Sequence, residues 1–409
     1  MNQEFEDRRN FLKSAAVLGA AGAGGVSGCA QMPTSGNAMK NTYDPFARYE
    51  VVVSETEFRR TAKGRQLMAR IYRPQGTGPF PVVLDLHGGA WNAKDRFAEE
   101  PMNRSMAASG LLVVAIDLTL AAEAPYPACV QDANYGVRWL KAKAPQWGGD
   151  PSTLGIYGSS SGGHVAELLG MRPNDPRYNA IPLPEAPHLD ASIAYVATRS
   201  PISNTFARYE NAVEKKREGM MKNNTNFFKP WESIHEANPQ EILERREPVT
   251  LLPLLVMQGA LDDNVLPAVQ EKFVNTYRAA GGFVTYTVFE NSIHEWTPKL
   301  TPQTLRAQEM VRAFIARNLA EGRRARRHAE ADHASRRHQA RSWRPARRSA
   351  RGLNLAAIRV FPISRGVFFT GSAPFFLASC SCAEARPIVA HLRSSICVAK
   401  IVLFDIRRE

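Results

Sequence analysis

Short apolar runs alternate with longer amphipathic stretches along the central part of the chain, from about Tyr49 to Asn318. Several runs are consecutive Val, Ile and Leu residues, which is typical of strands buried on both faces of a parallel sheet. The predicted strands are Leu67–Tyr72, Val82–Leu86, Leu111–Ile116, Leu154–Tyr157, Ala191–Val196, Leu254–Gln258 and Phe283–Phe289. Helical apolar spacing occurs in Cys129–Lys143, His164–Met171, Ala268–Ala280 and Thr304–Leu319. This alternation predicts the α/β class, with a mostly parallel central sheet flanked by helices.

The predicted domain spans residues 49–320 and follows a linker over residues 29–48. Within it, the interval from Thr198 to Pro248 has no strand pattern and mixes aromatic with charged residues. A long interval of this kind favours a helical lid or cap insertion over residues 198–248. The alternative is a plain helical insertion on the surface.

The N-terminus carries the pattern of an export signal. Arg8 and Arg9 precede an uncharged Ala/Gly/Val run that is too short and too glycine-rich for a good membrane span. Residues 1–28 therefore resemble a twin-arginine signal peptide, and Val26-Ser27-Gly28-Cys29 resembles a lipobox. We expect an exported periplasmic or cell-envelope lipoprotein, anchored to the membrane through lipidated Cys29. The alternative is an ordinary cleaved signal with a chance cysteine.

Positive charge is concentrated at the other end of the chain. Residues 321–409 contain 18 Lys and Arg against 6 Asp and Glu, whereas the whole chain has a net charge of +13. We predict a basic low-complexity tail there that is either disordered or the product of a shifted reading frame. A basic arm for membrane or nucleic acid is the alternative. Because the charge lies in the tail and not in the domain, we expect no nucleic-acid partner.

The segment Gly158-Ser159-Ser160-Ser161-Gly162 follows a predicted strand and precedes a predicted helix. This is the context of a Gly-x-Ser-x-Gly nucleophile elbow, in which flanking glycines permit a sharp turn. The pattern predicts Ser160 as an exposed nucleophile at the start of a helix. A Gly/Ser-rich turn alone would be weak evidence, and the preceding buried strand strengthens it.

A second glycine loop, His87-Gly88-Gly89-Ala90-Trp91, follows the predicted strand Val82–Leu86. Such a loop can direct main-chain N–H groups at a developing oxyanion. We predict that Gly89 and Ala90 donate, that Gly88 is an alternative donor, and that Ser161 completes the set. His87 is expected to orient the loop. Trp91 is expected either to line a substrate pocket or to pack.

These two loops, with Ala124-Pro125-Tyr126-Pro127, Asp132 and Trp139-Leu140 between them, resemble a family of α/β-hydrolase esterases. The family is related to hormone-sensitive lipase and to the bacterial feruloyl and acetyl esterases, the BD-FAE-like group. The resemblance covers about Tyr49 to Leu319 and implies the α/β-hydrolase fold. Ala90 replaces the frequent third glycine of the first loop, and the usual Tyr-Arg pair after the strand ending at Asp117 is absent. Of these two departures, it is Ala90 that moves the chain towards the acetyl/feruloyl esterase and kynurenine formamidase side.

The acid and the base should follow the nucleophile in the order Asp, His. The family-like spacing Gly-x-x-Asp-x-x-Val after the strand Leu254–Gln258 selects Asp262, with Asp263 as the rival. His294 lies in the loop after the strand Phe283–Phe289, where the base is expected. The sequence therefore predicts Ser160, Asp262 and His294 as the catalytic residues.

This set of residues predicts a serine hydrolase that cleaves carboxylic esters through an acyl-enzyme. The expected substrates are small-molecule or polysaccharide-linked esters with short acyl, acetyl or feruloyl groups. The same residues also suit amide hydrolysis, as in an aryl formamidase or a peptidase, and a non-catalytic binding module is a third reading. The mechanism requires no cofactor, and the sequence shows no zinc-type ligand spacing and no nucleotide-binding glycine loop.

Overall fold

Eight strands form one sheet at the centre of the fold. The computed structural model describes residues 43–342, and these strands and the helices around them lie within that range. The strands are β1 (Val51–Arg60), β2 (Gln66–Pro74), β3 (Phe80–Leu86), β4 (Leu112–Ile116), β5 (Gly149–Ser159), β6 (Val196–Arg199), β7 (Leu254–Gly259) and β8 (Val284–Phe289). Their order across the sheet is β1-β2-β4-β3-β5-β6-β7-β8. Strand β2 is antiparallel to both neighbours and the other pairs are parallel. The loops after β3, β5, β7 and β8 therefore leave the same edge of the sheet.

Helices cover both faces of this sheet. They are α1 (Glu100–Ala108), α2 (Ala128–Lys143), α3 (Ser161–Met171), α4 (Thr205–Glu214), α5 (Glu218–Phe227), α6 (Ser233–Glu236), α7 (Pro239–Glu244), α8 (Pro267–Ala279) and α9 (Pro302–Ser342). Apolar side chains of α2, α3 and α8 belong to one hydrophobic cluster, and those of α1 and α9 belong to the other.

Strand β4 shows why the central strands are continuous apolar runs. Leu112, Val114 and Ile116 belong to the cluster with α2, α3 and α8, whereas Val113 and Ala115 belong to the cluster with α1 and α9. Successive side chains of a strand point to opposite faces, so a strand covered on both sides is apolar at every position. The predicted three-layer arrangement is therefore present.

Two elements, β1 and α1, have no counterpart among the predicted ones. Strand β1 lies at the antiparallel edge of the sheet and is only partly buried. Two of its four exposed positions are charged, Glu55 and Arg60, and Glu55 pairs with Arg70 of β2 at 2.6 Å. The apolar run of β1, Val51–Val53, is only three residues long, and mainly polar and charged residues follow it. Helix α1 is short, at nine residues, and buries only four of them.

The sixth strand differs in position from the prediction. Regular pairing covers Val196–Arg199, where Ala191–Val196 was predicted. Beyond Val196 the strand continues through Ala197 and Thr198 to Arg199, and these three residues form no continuous apolar run. Arg199 is nevertheless fully buried, since its charge is paired with that of Glu99 at 2.8 Å. A buried ion pair therefore concealed the strand.

Helix α9 also extends beyond its predicted end at Leu319. Its buried apolar residues stop at Leu319, and the helix continues to Ser342. Residues 321–342, predicted as the beginning of a separate tail, are thus helical. None of the helices within residues 43–342 combines the length and the apolarity of a bilayer-spanning segment. The predicted signal peptide with Cys29, most of the linker and residues 343–409 lie outside the described residues.

The predicted insertion between β6 and β7 contains four helices, α4 to α7, which we call the cap helices (residues 205–244). They contact the loop that follows β3. The Phe227 ring stacks on the Trp91 ring with centroids 4.6 Å apart, and the Asn92 side chain donates to the Asn223 oxygen at 3.0 Å. The cap helices therefore lie against the edge of the sheet where the predicted site residues converge.

Candidate active site

Ser160 occupies the tight turn between β5 and α3. Its φ of 52° and ψ of −117° are strained for a residue that has a Cβ. The flanking glycines permit this turn because there is no room for side chains beside it. A Cβ on Gly162 would collide with the main-chain oxygen of Leu86, and a Cβ on Gly158 would lie 2.6 Å from the Gly162 oxygen. The segment thus has the strand, turn and helix geometry predicted for it.

The structure brings Ser160, His294 and Asp262 together. His294 Nε2 lies 2.9 Å from Ser160 Oγ, and His294 Nδ1 lies 2.8 Å from Asp262 Oδ2. Because an ionised carboxylate only accepts hydrogen bonds, Nδ1 carries the proton in the neutral imidazole and Nε2 is free to accept. The serine hydroxyl therefore donates to the ring nitrogen that would take its proton.

Main-chain groups fix the Asp262 carboxylate in place. Its Oδ1 accepts the N–H groups of Val265 at 2.8 Å and Asn264 at 3.0 Å, and Gln258 donates to Oδ2 at 3.0 Å. Burial alone would raise the pKa of Asp262. The hydrogen bond and the charge of His294, together with the Val265 N–H, outweigh burial and lower this pKa below its usual value. Asp262 is therefore ionised at neutral pH.

Asp263, the rival acid, points away from His294. Its side chain is 71% exposed and pairs at 2.5 Å with Arg217, which precedes α5. The Asn211 side chain, on α4, donates to the Asp263 main-chain oxygen at 3.0 Å. Asp263 therefore connects the loop after β7 to the cap helices.

The loop after β3 presents several main-chain N–H groups without acceptors. Among the described residues, the N–H groups of Gly88, Gly89, Ala90 and Ser161 donate to no protein atom. Gly89 and Ala90 have φ values of 102° and 51°, which turn this segment into a left-handed conformation. Unpaired N–H groups beside a nucleophile provide the donors that an oxyanion requires.

His87 stabilises this loop from within, as predicted. Its Nδ1–H donates to the Gly88 oxygen at 2.7 Å, and its ring is buried. Burial lowers the pKa of His87, so the imidazole is neutral at neutral pH. It makes no hydrogen bond to the Ser160 side chain within the described residues.

Trp91 packs into the core of the protein. It is 4% exposed, stacks on Phe227 and donates through Nε1 to His164 Nδ1 at 3.2 Å. Since Nδ1 accepts, His164 carries its proton on Nε2 and donates to the Ala237 oxygen at 2.7 Å. Burial lowers the pKa of His164 to about 4, so this ring is neutral. Trp91 was predicted either to line a substrate pocket or to pack, and these contacts are those of a packed side chain. The ring also borders a small cavity that Ser161 lines.

A buried ion pair that no sequence pattern predicts contacts the loop that carries His294. Arg199 donates through Nη1 to the His294 main-chain oxygen at 2.6 Å and through Nη2 to Glu99 at 2.8 Å. Glu99 also accepts the Ser159 hydroxyl at 2.7 Å. Glu99 and Arg199 are a hundred residues apart, so no local pattern could have linked them.

The cap helices contribute a second residue that was not predicted. Arg208 of α4 is 4% exposed and donates through Nε to Asn264 at 2.8 Å. Its guanidinium carbon lies 5.7 Å from the centroid of the Trp91 ring. A lone arginine within an amphipathic helix gives no sequence signal that would distinguish it from a surface cation. No cluster of three or more potential metal ligands occurs within residues 43–342.

The strand order and the Ser160, His294 and Asp262 arrangement define an α/β-hydrolase. A BD-FAE family model matches residues 70–277, just over half of the chain, and the chain belongs to this family. Among solved structures, esterase B from Lactobacillus rhamnosis aligns with a TM-score of 0.56 at 18% identity, over 69% of this chain and 91% of that chain. At this identity the likeness shows the fold. The predicted family resemblance and the predicted fold are thus confirmed.

Two curated relatives from Mycobacterium tuberculosis share parts of the sequence. Esterase LipC is 30% identical over 214 residues, which cover 50% of this chain and 49% of LipC. Carboxylesterase NlhH is 35% identical over 97 residues, which cover 24% of this chain and 30% of NlhH. The chain thus spans about half of one relative and less than a third of the other.

Proposed function

We propose that this protein is a serine hydrolase that cleaves carboxylic esters. The observation that carries the proposal is the continuous path of hydrogen bonds from Ser160 Oγ through His294 to Asp262, at 2.9 and 2.8 Å. The three residues follow β5, β8 and β7 at one edge of the sheet. The N–H groups of Gly89 and Ala90, in the loop after β3, and of Ser161, next to Ser160 in the chain, donate to no atom of residues 43–342. The names of LipC and NlhH support an ester as the substrate.

The reaction proceeds in two halves. His294 takes the Ser160 proton as the oxygen attacks the ester carbonyl, and Asp262 stabilises the imidazolium that forms. The N–H donors stabilise the negative oxygen of the tetrahedral intermediate. His294 then protonates the departing alcohol, which leaves an acyl group on Ser160. Water, deprotonated by His294, attacks this acyl-enzyme and releases the acid.

The decisive experiment measures hydrolysis of p-nitrophenyl acetate and butyrate by the full chain. Ser160→Ala should abolish turnover on both esters. The matched control is Ser152→Ala, an exposed serine before the buried part of β5, which should retain full activity. A folded protein that is inert on both esters, or a Ser160→Ala variant that remains active, would refute the proposal.

The substrate class is the finer part of the proposal. We propose short acyl esters, including acetyl and feruloyl esters of small alcohols or of polysaccharides. An acetylated or feruloylated polysaccharide should then release acid in a Ser160-dependent manner. An arylformamide assayed beside it tests amide chemistry, because the same residues suit both leaving groups. Faster turnover of the formamide would reassign the protein to amide hydrolysis.

We also propose that the protein is exported and anchored in the cell envelope by a lipid on Cys29. The support is the Arg8-Arg9 pair, the uncharged run after it and the lipobox-like Val26–Cys29 segment. Detergent partitioning of the full chain and of Cys29→Ser tests this, together with mass analysis of the mature N-terminus. Identical partitioning and an unmodified Cys29 would refute the anchor.

A further inference from the structure

Arg208 is a buried cation that has no carboxylate partner within residues 43–342. Its side chain makes one hydrogen bond among the described residues, from Nε to the neutral Asn264 side chain. Its Nη1 is buried and has no acceptor there. An unpaired charge in a protein interior is expensive, and native proteins seldom retain one without a functional reason.

The other buried arginines of the described residues do have acceptors. Arg199 forms an ion pair with Glu99, and Arg172 forms one with Glu236, each at 2.8 Å. Arg138 has no carboxylate, but its Nε and Nη2 donate to neutral oxygens of Asn134 and Ile181 at 2.9 and 2.7 Å. Arg208 is therefore unusual in leaving both terminal nitrogens without an acceptor among the described residues.

The guanidinium of Arg208 contacts two loops that carry reacting groups of the site. Asn264, which holds Nε, lies two residues after Asp262 and donates its own N–H to that carboxylate. Trp91, which lies under the guanidinium at 5.7 Å, follows the oxyanion-loop residue Ala90. The acid loop and the oxyanion loop thus both contact Arg208, and both converge on Ser160.

The guanidinium keeps its charge at neutral pH. Burial lowers the pKa of Arg208 to about 10, while the nearby negative charge of Asp262 acts in the opposite direction. Asp262 does not satisfy Arg208, because no carboxylate lies within ion-pair distance of it among the described residues. The site therefore holds a positive charge whose two terminal nitrogens have no acceptor among residues 43–342.

We propose that Arg208 is a specificity residue that binds a carboxylate group carried by the ester substrate. A guanidinium suits a carboxylate because its charged, planar fork donates strong charge-assisted hydrogen bonds to carboxylate oxygens. The inference rests on the proposed ester hydrolysis. The carboxylate can belong to the acyl part or to the alcohol part of the ester, and the two are distinguished by experiment.

The test compares charged and neutral esters of matched shape at neutral pH and constant ionic strength. Monomethyl succinate and methyl levulinate differ in charge on the acyl side. Acetyl esters of p-hydroxybenzoate and p-hydroxybenzamide differ in charge on the alcohol side. We expect the charged member of at least one pair to have the higher kcat/KM. Arg208→Gln should reduce the ratio of kcat/KM for the charged ester to kcat/KM for the neutral ester by about 10- to 100-fold. This is the range expected for the loss of a charge-assisted hydrogen bond.

Two further variants separate recognition from structure. Arg208→Lys keeps the positive charge but loses the planar guanidinium. It should therefore retain part of the preference in kcat/KM for the charged ester over the neutral one. Arg245→Gln removes an equal charge from an arginine that is 39% exposed and pairs with Glu241, and it should leave the ratio unchanged. A merely structural role for Arg208 would lower turnover of both members of a pair equally. That result, or an unchanged ratio, overturns the proposal.

A binding measurement covers the case in which Arg208→Gln does not fold. Benzoate should inhibit p-nitrophenyl acetate hydrolysis by the unmodified protein at least about tenfold more strongly than benzamide does. Equal inhibition would overturn the proposal. If the unmodified protein hydrolyses no ester at all, the proposed function fails. Thermal shifts with benzoate and benzamide, compared between the unmodified protein and Arg208→Lys, then test the carboxylate site by itself.

Discussion

The Arg199 side chain holds the main-chain oxygen of His294, because its Nη1 donates to that oxygen across 2.6 Å. The main-chain oxygen of Arg199 in turn accepts the N–H of Ser160 at 2.9 Å. One residue at the end of β6 thus contacts both the nucleophile turn and the loop that carries the base. Glu99 balances its charge, and each side chain of this pair is 1% exposed.

Arg199→Met should destabilise the protein by about 3–5 kcal/mol, because Glu99 would remain buried without its cation. Urea unfolding measures this loss. The matched control is Arg104→Met, whose side chain is 50% exposed and pairs with Glu100 on the surface of α1. Loss of a surface pair should change the free energy of unfolding by less than about 1 kcal/mol.

The double variant Glu99→Gln, Arg199→Met separates stability from positioning. Removing both charges should recover part of the lost stability, since no buried ion remains alone. The His294 oxygen would still lack its donor, so kcat for p-nitrophenyl acetate should stay low. Recovery of the full kcat together with stability would mean that Arg199 has only a structural role.

Adjacent acids in the loop after β7 should respond very differently to substitution. Asp262→Asn should lower kcat by roughly ten-thousandfold, because an amide in this position no longer holds the His294 tautomer that accepts the serine proton. Asp263→Asn removes only the exposed pair with Arg217 and should leave kcat within about a few-fold of the unmodified value. Steady-state hydrolysis of the same ester by both variants makes the comparison. A larger loss of kcat in Asp263→Asn than in Asp262→Asn would make Asp263 the catalytic acid in place of Asp262.

The sequence was informative where main-chain geometry dictates residue type. Gly158 and Gly162 have no room for a Cβ, so the elbow that carries Ser160 leaves a readable pattern. The buried strands before the site are apolar on both faces, which located the turns after them. The order of strands and loops then indicated His294, and together with the family-like spacing Gly-x-x-Asp-x-x-Val it indicated Asp262.

The sequence was silent where a charge is buried through a distant partner. The predicted sixth strand stops short of Arg199, a charged residue of the kind that normally indicates exposure. Its burial depends on Glu99, which is 100 residues away in the chain and adjacent in space. Arg208 likewise resembles a surface residue of α4 until the loops that surround it are in place. Such residues are defined by tertiary contacts alone.

Gly162→Ala should be severely destabilising, by about 3 kcal/mol or more, because its Cβ would overlap main-chain oxygens that cannot move freely. Gly219→Ala is the matched control. Gly219 lies in the first turn of α5 with open space around it, so alanine there should be neutral or stabilise by up to about 1 kcal/mol. Thermal unfolding of both variants measures the difference. Equal melting temperatures for Gly162→Ala and Gly219→Ala would contradict the close approach of Gly162 to the main-chain oxygen of Leu86.

Asp85 should make the stability of the protein depend on pH. It lies on β3 beneath the site, and Asn103 donates to its Oδ2 at 2.6 Å. Burial, helped by the negative charge of Glu99, raises the pKa of Asp85 to about 8, against the opposing effects of Asn103 and Arg199. The folded protein therefore keeps a proton on Asp85 up to about pH 8, whereas the unfolded chain loses it above about pH 4.

Between these two values the folded state binds more protons than the unfolded state, so this group lowers the free energy of unfolding as the pH rises. The slope is at most about 1.4 kcal/mol per pH unit, and it vanishes above the folded pKa, where both states are ionised. Asp85→Asn cannot titrate and keeps the shape of the neutral acid. Its stability relative to the unmodified protein should therefore increase from about pH 5 to about pH 8 in urea unfolding. A constant difference between the two free energies of unfolding across that range would show that Asp85 is ionised in the folded protein. The charge of Arg199 would then be shared between the carboxylates of Asp85 and Glu99.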